Sequence, residues 1–147
     1  MIILSNSSPL IALSSLDRLD ILAKLFTSVY LPDTVYQETV TENPIQAQRI
    51  RINDATQTFL QVRHPKIHRI FTRNLGDGEQ GVLNLAIEMN PDFILLDDKK
   101  ARNEATDCGI EFLLTTEVLK MAEEHHYIPS YHGMIVQLRV HHIYLPE

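Results

Sequence analysis

Short apolar runs separated by longer amphipathic stretches constrain this chain more than any other feature. Ile2 to Leu4, Ser28 to Leu31, Phe93 to Leu96 and Glu111 to Leu114 are of strand length, and the apolar ones read as strands buried on both faces. Helical spacing fills most of the intervals. That alternation predicts a three-layer α/β/α sandwich around a central, mainly parallel sheet. With 147 residues, 44% of them apolar, the chain is expected to form a single domain over 1–147 with a sizeable core. One cysteine, Cys108, cannot close an internal disulfide, so a reduced, cytoplasmic setting is expected. No apolar run approaches the ~18 residues of a membrane span, and no membrane partner is expected.

Local signals place the helices. Ser7 or Ser8 can cap a helix that opens at Pro9 and carries Leu10, Ile11, Leu13 and Leu16. A second helix is expected over Asp20 to Phe26, and Pro32-Asp33 opens a third with Val35, Tyr36, Glu38 and Thr39. Asn43 to Arg63 fits helix with a break near Asn53-Asp54. Ile67 to Phe71 alternates apolar and basic residues and predicts an edge strand. Asp77 with Gln80 reads as a capping-box-like start for the helix through Met89. A further helix runs to about Cys108 with Gly109 as its cap. Thr115 or Thr116 caps the next one, and Gly133 to Leu145 begins helical and finishes extended.

In an open parallel sheet, ligands bind beyond the carboxyl ends of the strands. Those ends here carry Ser5-Asn6-Ser7, Asp97-Asp98 and Thr115-Thr116, all oxygen-bearing, while Glu38 and Glu79 sit near the starts of helices that can reach the same edge. Carboxylates gathered in one cleft repel unless a cation neutralises them. An all-oxygen set with no His or Cys suits Mg2+ or Mn2+ and is a poor zinc site, and magnesium held by few carboxylates points to phosphodiester chemistry.

Four strings now carry a resemblance: Leu4-Ser5-Asn6-Ser7-Ser8-Pro9-Leu10-Ile11-Ala12-Leu13, Val29-Tyr30-Leu31-Pro32-Asp33-Thr34-Val35-Tyr36-Gln37-Glu38, Gly76-Asp77-Gly78-Glu79 and Leu95-Leu96-Asp97-Asp98-Lys99-Lys100-Ala101-Arg102. In this order they resemble the PIN (PilT N-terminus) domain, and more narrowly the stand-alone group with a Ser-Pro-Leu-Ile opening. The resemblance implies a divalent-metal-dependent ribonuclease, often the toxin of a toxin-antitoxin pair, with an antitoxin protein as partner and frequent homodimers. Residue by residue it implies Asn6, Glu38, Glu79 and Asp98 as catalytic positions. Asp97 joins Glu38, Glu79 and Asp98 as a metal ligand, and Thr115 or Thr116 is a supporting group. Asn6 stands where most such domains carry aspartate, and an amide holds a hard cation less strongly than a carboxylate; a cap or Asx turn before Pro9 is an equal expectation for it. A catalytically degenerate module that binds RNA or a protein is therefore the competing expectation. A phosphatase-like hydrolase ranks below both, because Asn6 cannot form an acyl-phosphate.

Net charge is -6, yet Ile45 to Arg73 holds six basic residues against Asp54 alone, a local +5 that leaves -11 on the remainder. That stretch can meet RNA phosphates or serve as a solvated, charge-protected edge, and the second reading is preferred. Lys99, Lys100 and Arg102, directly after Asp98, are the better candidates for contact with RNA phosphate. His125-His126, His132 and His141-His142 match no familiar metal spacing and are expected on the surface, while Met134, Ile135, Val136 and Leu138 are expected in the core or a dimer interface.

Overall fold

The computed structural model describes residues 1–147. Five strands, β1 (Ile2–Ser5), β2 (Ser28–Pro32), β3 (Leu60–Arg63), β4 (Phe93–Leu95) and β5 (Phe112–Leu113), form one sheet in the order β3-β2-β1-β4-β5. Every pairing is parallel, as strands without a wet face require. The central β1 buries Ile3, Leu4 and Ser5 completely. Strand order reverses at β1, which has β2 on one side and β4 on the other, so the binding crevice of such a sheet lies beyond the ends of β1 and β4.

The helices are α1 (Ser7–Ser15), α2 (Asp20–Leu25), α3 (Asp33–Tyr36), α4 (Gln46–Thr56), α5 (Asp77–Met89), α6 (Lys99–Asp107), α7 (Thr115–Glu124) and α8 (Tyr131–Val140). A π-helical turn, Gln37–Thr41, continues α3. Helix α1 packs on α4 and α7, and α7 on α2 and α8, while α5 packs on β1, β2 and α3. A core of 33 buried apolar residues joins the layers, and Met134, Ile135 and Leu138 of α8 belong to it, whereas Val136 is exposed. No helix is long and apolar enough to cross a membrane.

Several expectations need correction. Ile67 to Phe71 is not a strand, and the edge strand is β3, beginning just after the helix break, which falls at Gln57 rather than at Asn53-Asp54. The 66–72 segment instead lies along α5 and α6, where side-chain acceptors take its backbone donors. Glu88 accepts from the N–H groups of Lys66 and Ile67, Asn84 from Arg69, and Glu104 from Thr72. With those donors satisfied, the backbone has no need of a sheet partner. Neither Ser7 nor Ser8 caps α1; Asn6 holds that position, and Pro9 sits third in the helix, where its missing N–H still costs no hydrogen bond. Gly76, not Asp77, caps α5, with the Glu79 carboxylate accepting the Gly76 N–H at 3.0 Å. Leu114, not Thr115 or Thr116, precedes α7, and its N–H goes to Glu117 at 3.0 Å. Gly109 does take the left-handed conformation after α6, with φ +72°. The chain beyond α8 forms no strand.

Candidate metal-binding site

The site is built from the reversal point outward. The Asn6 N–H donates to the Leu95 carbonyl at 3.1 Å, locking the end of β1 to the end of β4. Although Asn6 occupies the cap position of α1, its side chain makes no capping bond, and Oδ1 is buried with no hydrogen-bond partner. A buried acceptor left unmet costs about 1–3 kcal/mol, so an orphan on the wall of a polar cleft calls for a donor or a cation.

Asp97 and Asp98 are adjacent but differently employed. Asp97 is 6% exposed; its Oδ1 accepts the Thr115 N–H at 2.9 Å, and its Oδ2 accepts the hydroxyls of Thr115 at 2.7 Å and Ser8 at 2.9 Å. Three chain donors thus occupy a carboxylate with about four lone-pair positions. This geometry makes Asp97 a brace between β4, α1 and α7. Asp98 is exposed and caps α6, its Oδ2 accepting the Ala101 N–H at 3.1 Å.

Glu79, in the first turn of α5, reaches the same place. Burial pushes its carboxyl above the ordinary range, the neighbouring Asp98 and Glu38 carboxylates push the same way, and the Gly76 N–H opposes them. Glu38 comes from the π-helical turn, a rare local winding that often accompanies functional positions. Its Oε1 accepts the Ser7 hydroxyl at 2.6 Å. The carboxylate lies against Gly78, where an added Cβ would stand 2.1 Å from Glu38 Oε1. The Glu38 carboxylate is therefore seated on the first turn of α5 only because residue 78 has no side chain. We expect Gly78→Ala to swing Glu38 away and cut metal-dependent activity at least tenfold. The change in melting temperature should be only a few degrees, because the clashing atom ends a flexible side chain. Unchanged turnover with an ordinary melting curve would show that the seat does not matter.

These groups line one cleft of about 420 Å³: Asn6, Ser7, Ser8, Glu38, Gly76, Glu79, Asp97, Asp98, Tyr144 and Pro146. Asn6, Glu38, Glu79, Asp97 and Asp98 are thus brought together from four segments. No three Asp, Glu, His or Cys side chains stand close enough to hold a metal ion by direct contact alone. Thr115 enters only through Asp97, and the Thr116 hydroxyl turns to the Pro146 carbonyl at 3.1 Å. Arg102 Nε donates to the Asp97 carbonyl at 3.1 Å, so it supports the brace, while Lys99 and Lys100 are exposed and form no ion pair. A larger groove of about 760 Å³, lined in part by Asp33, Glu42, His64 and Asp77, meets this cleft at Glu38 but gathers no comparable set of converging carboxylates.

The basic stretch is largely consumed within the chain. Arg51 pairs with Asp17, Arg73 pairs with Glu104 and Asp107, Arg49 donates to the Asn43 carbonyl, and Arg63 lies over the Tyr30 ring. The five singled-out histidines are exposed, and His126 and His142 adopt the left-handed conformation just beyond α7 and α8. Residues of the cleft missed at the level of sequence are Ser8, inside the Ser-Ser-Pro-Leu-Ile string, and Tyr144 and Pro146, which no local pattern flagged.

Comparison with known proteins bears on the fold and the family. No curated protein sequence matches the chain. Among solved structures, a PilT N-terminus domain protein from the hyperthermophilic archaeon Sulfolobus solfataricus superposes with a TM-score of 0.61 at 18% identity, covering 83% of this chain and 93% of that one. At that identity the likeness concerns the fold. A family model described as DUF3368, PIN domain, matches residues 2–147. PIN domains are generally nucleases and typically depend on divalent metal. With residues 2–147 inside that match, the chain belongs to the PIN-domain family.

Proposed function

We propose that this protein is an endoribonuclease that hydrolyses phosphodiester bonds in single-stranded RNA with Mg2+ or Mn2+. The observation that carries the reading is the buried, unpartnered Oδ1 of Asn6, a residue that lines one cleft with Glu38, Glu79 and Asp98. The donors are all oxygen, which fits a hard cation. When bound, such a cation would neutralise phosphate charge and acidify a water for attack on phosphorus. Asn6, Glu38, Glu79 and Asp98 would hold it directly or through water, and Asp97 would fix the β4 end that carries Asp98. Lys99 and Lys100, free of ion pairs at the start of α6, would meet the phosphate backbone. A toxin role, with an antitoxin covering the site in the cytoplasm, rests on the motif resemblance.

The test is cleavage of an unstructured RNA oligonucleotide with Mg2+ or Mn2+, comparing the wild type with Asp98→Asn. We expect at least a hundredfold loss in the variant. Equal activity in both proteins, or none with either ion, removes the assignment. RNA binding without cleavage would instead favour the degenerate module, for which Asn6 in place of aspartate speaks.

A further inference from the structure

Tyr144 is the one aromatic residue of the chain that is exposed, at 71%, while the other four tyrosines and five phenylalanines are wholly or partly packed. A ring left in water forgoes the stabilisation that burial would give it. The chain around it is nevertheless held: the Ile143 N–H donates to the Leu138 carbonyl at 2.9 Å, and the Pro146 carbonyl accepts the Thr116 hydroxyl at 3.1 Å. Ile143 and Leu145 pack on the core to either side, so alternation turns Tyr144 outward. Tyr144 therefore stands on an anchored strap and lines the carboxylate cleft together with Asn6 and Asp98.

We propose that Tyr144 is a base-stacking platform: a base of single-stranded RNA flanking the cleaved phosphate lies on its ring. Unpaired bases stack on aromatic side chains with little regard to identity, and a platform beside a metal cleft sets which phosphate enters. Tyr144 is a positioning residue, since it touches a base and no reacting atom. The proposal rests on the ribonuclease reading for its substrate, and the experiment separates the two.

Steady-state cleavage by Tyr144→Ala should show KM raised about tenfold with kcat within twofold, the loss of one stacked base. Tyr144→Phe, which keeps the ring, should restore KM. A second measurement needs no turnover. In an Asp98→Asn background, a 2-aminopurine moved along an oligouridylate should be quenched at one position with Tyr144 or Phe present and not with Ala. Wild-type cleavage with an unchanged KM in Tyr144→Ala, or quenching independent of the ring, overturns the stacking role and leaves the nuclease reading intact. Ring-dependent quenching without cleavage keeps the platform and overturns hydrolysis. Absence of both overturns both.

Discussion

Asp97→Ala should lower the melting temperature by roughly 10 °C and abolish RNA cleavage together. The substitution leaves the Thr115 N–H, the Thr115 hydroxyl and the Ser8 hydroxyl without their acceptor in an almost dry position. Buried donors stripped of a partner cost about 1–3 kcal/mol each, less whatever the hydroxyls recover by turning, so a net loss near ~3 kcal/mol is expected. Activity falls because β4, α1 and α7 lose the tie that holds Asn6 and Asp98 at one edge. Asp97→Asn keeps an acceptor for the Thr115 N–H and should cost about half as much stability. Thermal unfolding without added metal checks this. A melting temperature unchanged or raised in Asp97→Ala would mean that Asp97 behaves as a repelled ligand and not as a brace.

Glu79→Gln should do the opposite to the metal-free protein. The folded state raises the Glu79 pKa above its usual 4.5, so it holds that proton to higher pH than the unfolded chain does. Stability is therefore unimpaired below the unfolded value and falls as pH rises through the raised one. Glutamine removes the penalty while its carbonyl can still accept the Gly76 N–H. Without metal at pH 7 the variant should melt higher than the wild type, and the gap should close below pH ~4.5. With divalent cation the order reverses. At a hundredfold excess over Kd, a ligand of the native state adds about 2.7 kcal/mol, which for a chain of this size lifts the wild-type melting temperature by roughly 8–10 °C. The variant should gain much less. Differential scanning fluorimetry over pH, with and without Mn2+, reads both effects, and equal cation responses would remove Glu79 from the site.

The parts of this molecule legible in its sequence are those where a residue's own chemistry decides the outcome. β1, β2 and β4 are apolar runs that can satisfy themselves only in the interior of a parallel sheet, and the placing of Asn6 and Asp98 at one edge follows from strand polarity. Gly109 was legible because its position after a helix favours a left-handed residue. Three misreadings share one cause: the deciding group lies elsewhere in the chain or three residues on. Glu88, Asn84 and Glu104 took the backbone donors of 66–72 away from strand pairing, and Glu79 and Glu117 moved two helix starts by one residue. Asp97 and Asp98 form a motif with two acids side by side, but only the Thr115 and Ser8 donors separate their duties. The platform at Tyr144 was invisible because a tyrosine near a helix end carries no local sign of the cleft that Thr116 draws it toward.

The wide turn at Gln37–Thr41 makes chain length, more than residue identity, the critical variable around Glu38. A π-helical turn accommodates one residue beyond the α-helical count. Adding one further residue there would find no wider winding to absorb it, and each side chain on the far side would rotate by about 100° relative to the near side. Thr39 and Val40, now buried, could not both stay inside while Glu38 kept its seat on α5. Drift in composition along this turn should therefore be tolerated far better than an added residue.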